Sequence, residues 1–338
     1  MSRIIGEDTL FLRPTPRLAH TEYSMEYHTT YLQSLGQPLR EAWEYDLNWC
    51  VHDGPIAWES VGRVTDMGHA EYAADGHDRR DAKPCPFQDV EDVYAFDPFQ
   101  EYGIPDHSEL VRCFETWYQE AQAGYPEQVV TGGRYKTVVS AAIAIFGWEM
   151  LLEAAGVDPV RFARVLERLG AYSLRHAEAW AETSIVGYIQ HDDMVWTSGP
   201  FLDPAFYRGV IFPLYRRMWE PLLRAGKRVL FCSDGRFDMF MEDIAACGAQ
   251  GFIFEPCNDL DWICNRFGRT HVIIGSKVDC RTMAFGTWEQ VKAEMDATFP
   301  LAKRCPGFVW AVGNHIPANV PDEMCDRYIR YLKANWYR

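Results

Sequence analysis

Residues 228–275 read RVLFCSDGRFDMFMEDIAACGAQGFIFEPCNDLDWICNRFGRTHVIIG and contain three short apolar runs, at 228–232, 251–255 and 271–275. Each run is rich in β-branched and aromatic side chains, and an amphipathic stretch separates it from the next. Short apolar runs without polar alternation are typical of parallel strands that are buried on both faces. The stretch therefore predicts successive strand–helix units of a parallel sheet.

The same alternation extends in both directions along the chain. Runs at 128–131, 184–190 and 307–312 have the same character, and two earlier strands are predicted near 16–23 and 47–52. Eight strand–helix units predict an α/β fold of the (β/α)8 barrel type, which usually needs about 250 residues before insertions. A doubly wound open sheet is the alternative, but none of the predicted strands is followed by a GxGxxG turn.

Residues that cap and stop helices mark the segments between the strands. Asp158-Pro159 and Asp203-Pro204 place an acid before a proline, and Thr287 begins a capping box. We predict helices from 159 to about 169, from 204 to a stop at Gly226, from 287 to 298 and from 323 to 336.

The surplus length lies near the N terminus. Residues 54–107 are rich in Gly, Asp and Pro, with a hairpin predicted at 63–80. We expect one barrel over residues 1–338, in which 1–125 supply the first two units and a lid-like insertion and 126–338 supply the other units.

Composition and charge exclude several classes of function. The chain has 338 residues and a formal net charge of −15. Nucleic acids and anionic membranes bind proteins with an excess of basic residues, so neither is an expected partner. None of its ten cysteines forms a CxxC pair, and no apolar leader begins the sequence. We expect reduced thiols and a cytoplasmic protein.

The predicted strand ends are where chemistry is expected, because active sites of such barrels lie at the C-terminal face. Five consecutive ends carry acids, thiols or imidazoles: Gln190-His191-Asp192-Asp193, Cys232-Ser233-Asp234-Gly235, Glu255-Pro256-Cys257-Asn258, Ser276-Lys277-Val278-Asp279-Cys280 and Gly313-Asn314-His315-Ile316-Pro317.

Each of these residues also has a structural interpretation. Asp192 and Asp193 are turn formers, Asp234 belongs to a turn dipeptide, and Cys232 suits a buried strand end. We nevertheless expect Asp193 to carry chemistry. We also expect Glu255 to contact a partner group or substrate, because an unpaired carboxylate is costly to bury.

One combination of these residues would suit zinc. Cys232-x-Asp234 together with His315 offers sulfur, oxygen and nitrogen ligands, which zinc accepts while keeping an open position for catalysis. The sequence contains no HExxH, P-loop or GxSxG motif, which argues against zincin, P-loop and α/β-hydrolase chemistry.

Several short motifs in the last two thirds of the chain belong together. They are Asp192-Asp193, GPFLDP at 199–204, YR at 207–208, PLYRR at 213–217, GKRVLFCSDG at 226–235, GTWEQV at 286–291 and GNHIPANVP at 313–321. Over residues 128–338 this set resembles the uroporphyrinogen decarboxylase superfamily. The resemblance implies a (β/α)8 barrel.

The resemblance implies one of two chemistries. The first is decarboxylation of a porphyrinogen without metal or cofactor, and the second is methyl transfer between a corrinoid and a small molecule. LRPTPR at 12–17 keeps the spacing of two arginines that hold substrate carboxylates in the decarboxylases, but DLNWC at 46–50 departs from their segment with an essential aspartate. An octa-anionic substrate would also need a basic cleft.

The resemblance to the thiol methyltransferases of this superfamily implies a zinc site. Their zinc is held by a His-x-Cys pair at the fifth strand and a Cys near the eighth, where this chain has Cys232-x-Asp234 and nearby His315. We predict a methyltransferase or demethylase whose partner is a corrinoid protein docked over the barrel mouth. The alternatives are a cofactor-free decarboxylase of a porphyrinogen or another carboxylate and a binding barrel without catalysis.

The predicted site has three sets of residues. The predicted catalytic acids are Asp193, Asp234 and Glu255, the predicted substrate-binding residues are His20, Asp192, Asp279 and Asn314, and the predicted zinc ligands are Cys232, Asp234 and His315.

Overall fold

The structure is a computed structural model that describes residues 1–25, 28–55, 85–103 and 106–338. Eight parallel strand segments run in chain order around its centre. They are β1 (Ala19–His20), β2 (Leu47–Asn48), β3 (Val129–Val130) continued by β4 (Gly132–Tyr135), β5 (Gly187–His191), β8 (Arg228–Ser233), β9 (Gly251–Phe254), β10 (Val272–Gly275) and β11 (Phe308–Trp310). A small antiparallel hairpin, β6 (Val195–Trp196) and β7 (Gly199–Pro200), follows β5.

The strands close into a barrel. Seven of them lie in the order β1-β11-β10-β9-β8-β5-β4, and β2 pairs in parallel with β3. The backbone amide of Asp46 donates to the carbonyl of His20 at 2.9 Å and so joins β2 to β1. The predicted (β/α)8 fold is confirmed.

Sixteen helices are found in the described residues. They are α1 (Arg3–Leu10), α2 (Thr29–Ser34), α3 (Leu39–Ala42), α4 (Val90–Ala95), α5 (Pro98–Tyr102), α6 (His107–Gly124), α7 (Val139–Phe146), α8 (Trp148–Val157), α9 (Pro159–Ala181), α10 (Pro204–Phe206), α11 (Phe212–Arg224), α12 (Met241–Cys247), α13 (Leu260–Phe267), α14 (Cys280–Phe285), α15 (Trp288–Arg304) and α16 (Asp322–Asn335).

The predicted helix starts agree with the structure, whereas several predicted helix ends do not. Asp158 and Asp203 accept hydrogen bonds from the first turns of α9 and α10, and Thr287 forms the capping box of α15. α9 runs twelve residues beyond the predicted end near 169, because its buried stripe continues along α11. The helix predicted from 204 is interrupted by a π-helical turn at Tyr207–Ile211.

Two apolar cores lie on opposite faces of the sheet. Alternate strand residues such as Ile189, Leu230 and Ile253 form a cluster inside the barrel. Their neighbours, such as Tyr188 and Phe252, pack outward against the helices. This period of two determines which strand-end residues face the mouth of the barrel.

The predicted hairpin at 63–80 and much of the predicted lid lie outside the described residues. Among the described helices, none is by itself both long and apolar enough to cross a membrane; α7 and α8 reach that length together but are bent by 113°. All ten cysteines are free thiols.

Candidate active site

The fourth and fifth barrel strands, β5 and β8, bring three polar side chains together at the mouth. His191 ends β5 two residues after the inward-facing Ile189, and Asp234 follows the inward-facing Cys232 by two residues. One candidate ligand atom each from His191, Asp193 and Asp234 lies within 4.8 Å of the other two. In the described part of the chain, no other His, Cys, Asp or Glu residues form such a group of three. We call these three residues the mouth triad.

Asp193 is the centre of the mouth triad. Its Oδ1 lies 3.1 Å from His191 Nε2 and accepts a hydrogen bond from the Asp234 amide at 2.9 Å, while Oδ2 accepts from the Tyr135 hydroxyl at 2.9 Å. Burial favours a higher pKa for Asp193, but the His191 ring and these hydrogen bonds outweigh it and hold the pKa below its ordinary value. Asp193 is therefore a buried carboxylate that keeps its charge.

Asp192 lies behind the mouth, although it is adjacent in sequence. It is fully buried, and it accepts hydrogen bonds from the Ser140 amide at 2.7 Å and from the Tyr215 hydroxyl at 2.6 Å. Burial raises its pKa above the ordinary value. These contacts tie the end of β5 to α7 and α11, so Asp192 supports the mouth rather than lining it.

Asp234 and Gly235 form a turn that fits tightly under the β6–β7 hairpin. Gly235 has φ +77°, and a Cβ atom there would lie 2.7 Å from the Trp196 backbone. Its amide donates to Glu255 Oε2 at 2.6 Å. Asp234-Gly235 is therefore both a turn and part of the site, because the shape of the turn places Asp234 beside Asp193.

Glu255 extends the acidic surface from the sixth strand. Its Oε1 accepts a hydrogen bond from Asn314 Nδ2 at 2.8 Å. Both residues line a cavity of about 130 Å³ that Asp279, Cys280 and Arg281 also line. Asp279 itself caps α14, since its side chain accepts from the Arg281 amide.

The predicted zinc ligands Cys232, Asp234 and His315 are not brought together as such a group. Cys232 is buried inside the barrel below the mouth, where burial and the charges of Asp234, Asp193 and Glu255 raise the pKa of its thiol. His315 lies beyond the end of β11, and its ring packs against Tyr23 at 4.6 Å. Among the described residues, the close group of ligand atoms includes Asp234 but neither Cys232 nor His315, and the zinc set stays a prediction.

His20 occupies the opposite face of its strand from the one that a substrate would reach. It is fully buried, and its Nδ1 lies 3.0 Å from the Trp43 carbonyl oxygen. The neighbouring Ala19 faces the barrel interior. The structure therefore places His20 outside the mouth.

An aromatic wall completes the mouth, and sequence reasoning missed it. Tyr23 and Trp49 lie 4.6 Å apart between ring centroids, and Tyr135 stacks on His191 at 4.1 Å. Tyr23 also faces the His191 ring at 5.9 Å. The period of two would have identified these residues, because each continues the inward-facing positions of its strand.

The mouth triad fits a divalent metal ion such as the zinc that the sequence resemblance implies. One imidazole and two carboxylates are acceptable ligands, with bonds of about 2.0–2.2 Å, so two ligand atoms on one ion lie at most about 4.4 Å apart. The separation within 4.8 Å needs an adjustment of a few tenths of an ångström. This set of ligands does not require His315.

Comparisons with known proteins agree with this architecture. The sequence model of the uroporphyrinogen decarboxylase (URO-D) family matches residues 79–334. A methyltransferase from Methanosarcina mazei is similar in structure, with a TM-score of 0.66 and 13% identity, over 98% of this chain and 97% of that one. At this identity the likeness shows the fold alone.

Another solved structure is less similar. A D-psicose 3-epimerase determined in the presence of D-fructose matches 73% of this chain and 87% of its own at 10% identity, with a TM-score of 0.40. Among proteins with curated functions, none matches this chain.

Proposed function

The chain belongs to the uroporphyrinogen decarboxylase family, and from that premise we propose that it transfers a methyl group between a small substrate in the barrel mouth and a corrinoid protein. The observation that carries the proposal is the acidic mouth. The Asp234 amide donates to Asp193 Oδ1 at 2.9 Å and the Gly235 amide donates to Glu255 Oε2 at 2.6 Å, so three acidic residues gather at this face of the barrel. Such a concentration of negative charge attracts a cation and repels a polycarboxylate.

The arginines near the N terminus support methyl transfer over porphyrinogen decarboxylation. Arg17 makes two hydrogen bonds to Asp46, at 2.6 and 2.7 Å, and its guanidinium lies over the Trp336 ring. Arg13 donates to Asp8 at 2.5 Å. Arg17 is held within the fold and Arg13 is paired with Asp8 at the surface, which argues against the role in holding substrate carboxylates that their spacing had implied.

Methyl transfer places a definite demand on the site. The bond between the methyl group and its donor atom breaks, the electron pair stays with the donor, and the methyl group passes to the nucleophile. The Asp193 carboxylate can orient the donor, since the Asp234 amide fixes it by a hydrogen bond, and the turn at Gly235 keeps Asp234 beside it. A small cavity beside Glu255 and Asn314 has room for the remainder of a small donor.

A divalent metal ion, when bound, would be held by His191, Asp193 and Asp234. With an uncharged ether or thioether donor, it would act as a Lewis acid that stabilises negative charge on the leaving group. Tyr135 would keep its role of donating to Asp193, since burial and the Asp193 charge raise the pKa of its hydroxyl well above the ordinary value. Tyr135 would thus hold Asp193 in the orientation that a metal ligand needs.

The rim of the mouth suits a docked partner. Trp196 and Met239 are 43% and 48% exposed, and they flank the turn that holds Asp234. The Arg236 amide donates to the Trp196 carbonyl at 2.9 Å and connects the two segments. Exposed apolar side chains beside a polar site are typical of protein contacts. We assign this rim to the corrinoid protein.

A methyl-acceptor assay tests the proposal. Purified protein is mixed with cob(I)alamin and with methyl ethers, methyl thioethers or N-methylated amines, and methylation of the cobalt is followed by its absorption spectrum. We expect turnover with one donor class, lost in Asp193→Asn and retained in Asp203→Asn, which changes an exposed helix cap. Decarboxylation of a porphyrinogen, with no methyl transfer from any donor, would overturn the proposal.

A further inference from the structure

The aromatic wall and the acidic residues occupy the same mouth. Tyr23 and Trp49 present their rings on one side, and the His191 ring links them to Asp193. The Tyr135 ring already contacts His191 at 4.1 Å and has the Lys136 ammonium 5.0 Å from its centroid, so it borders this site. Trp49 and His191 have ring centroids 6.4 Å apart. Aromatic faces together with carboxylates bind organic cations, because both attract positive charge while the rings tolerate methyl groups.

Three buried polar atoms on inward-facing positions make a second, independent observation. Trp49 Nε1, Thr21 Oγ1 and His191 Nδ1 have no hydrogen-bond partner among the described residues. Thr21 is fully buried, and Trp49 and His191 are each 4% exposed. An unsatisfied buried polar atom costs about 1–3 kcal/mol, so such atoms normally have a partner.

These atoms specify what a ligand must carry. An indole N–H can only donate, so Trp49 needs an acceptor oxygen. Thr21 continues β1, since its amide donates to the Trp310 carbonyl at 3.0 Å, and its side chain therefore follows Ala19 into the barrel. A charged carboxylate would meet the repulsion of Asp193 and Asp234. The acceptor that fits is an uncharged oxygen.

We propose that the mouth binds a small organic monocation, in which a methylated ammonium group lies against the aromatic wall and an uncharged oxygen accepts from Trp49. This rests on the proposed function and names the substrate class for that site. Transfer from a quaternary ammonium balances without a proton: the N–CH₃ bond breaks, its electron pair stays on nitrogen, and a neutral tertiary amine remains. The nucleophile on the corrinoid protein supplies the electron pair of the new bond.

Calorimetric titration of the full-length protein with matched probes tests the charge. (2-Hydroxyethyl)trimethylammonium and its uncharged carbon analogue, 3,3-dimethylbutan-1-ol, have nearly the same shape. We expect the cation to bind at least about tenfold more tightly, and Asp234→Asn to reduce that preference. Equal affinity for the two probes would overturn the inference.

The Trp49 donor is tested by Trp49→Phe, which keeps an aromatic ring and removes the N–H. We expect severalfold weaker binding of the hydroxyl-bearing cation and little change for tetramethylammonium, which has no oxygen. Trp336→Phe is the matched control, since Trp336 is also 4% exposed with a buried, unpartnered Nε1 but lies near the C terminus against Arg17. An unchanged affinity for the hydroxyl-bearing cation in Trp49→Phe would overturn this assignment.

The same measurements separate the two proposals. Tight, charge-dependent binding without methyl transfer to cob(I)alamin would contradict the proposed function and support the cation site. Methyl transfer from an uncharged ether or thioether, without preferential binding of the cation, would support the function and contradict the cation site.

Discussion

His191 Nε2 lies 3.1 Å from Asp193 Oδ1, so the last residue of the fourth barrel strand and the second residue after it contact each other at the mouth. The residue between them, Asp192, points the other way and is fully buried. The contact pairs an imidazole with a carboxylate that stays charged. It also explains why the two adjacent aspartates have different environments.

The first prediction concerns catalysis by Asp193. Asp193→Asn should reduce the turnover number by at least about a hundredfold, because a neutral amide cannot supply the charge that the site places beside the substrate. Steady-state methyl transfer measures this, with thermal unfolding recorded in parallel. Turnover near the wild-type value would remove Asp193 from the chemistry.

The second prediction concerns stability at Asp192. Asp192→Asn should lower the free energy of unfolding by about 1–3 kcal/mol, because an uncharged amide with one acceptor oxygen replaces a carboxylate that accepts from both the Ser140 amide and the Tyr215 hydroxyl. Asp158→Asn is the control, since Asn caps a helix about as well as Asp. Chemical denaturation compares them, and equal stabilities would contradict the supporting role of Asp192.

The third prediction distinguishes the two ligand sets. If the purified protein contains zinc, Asp234→Asn should lose it, whereas Cys232→Ala should retain it, because the Cys232 thiol lies outside the mouth triad. Metal content per chain by elemental analysis is the measurement. Loss of zinc in Cys232→Ala at unchanged fold would favour the ligand set predicted from the sequence.

The fourth prediction concerns Gly235. Gly235→Ala should destabilise the fold by about 1–3 kcal/mol and lower activity, because its φ of +77° and the Trp196 backbone at 2.7 Å leave no room for Cβ. Gly156→Ala, in the last turn of α8 with no neighbour within 4 Å of a new Cβ, should instead stabilise by about 0.5–1 kcal/mol. Thermal unfolding and activity of both variants decide the point.

The fifth prediction concerns the rim. Trp196→Ala should weaken methyl transfer to a corrinoid protein severalfold while leaving transfer to free cob(I)alamin nearly unchanged, because the exposed part of this ring contacts the partner rather than the substrate. Comparison of the two acceptors is the measurement. An equal loss with both acceptors would place Trp196 in the substrate site.

The sequence by itself determined the barrel. Apolar runs such as 228–232, 251–255 and 271–275 bury both faces of a strand, and this pattern is local enough to be read without a structure. The helix starts were equally readable, because Asp158, Asp203 and Thr287 cap through contacts within one turn. The helix ends were less so, since α9 is extended by packing against α11, which lies far along the chain.

The composition of the mouth was partly readable as well. Parallel strands of a barrel end at one face, so acids after consecutive strands had to gather there. What the sequence could not show is which of two neighbouring residues points inward. Asp192 and Asp193 differ in role because one residue of offset along a strand reverses the direction of the side chain.

Tertiary structure alone decided which side chains meet in the site. Whether Cys232 reaches Asp234 and His315 depends on how far each strand rises in the barrel and on where the loop after β11 turns, and neither is encoded by spacing. The structure instead groups His191, Asp193 and Asp234 from adjacent strands. It also brings Tyr23 and Trp49 from the first two strands to His191 on the fourth, because closure of the barrel places these strand ends around one mouth.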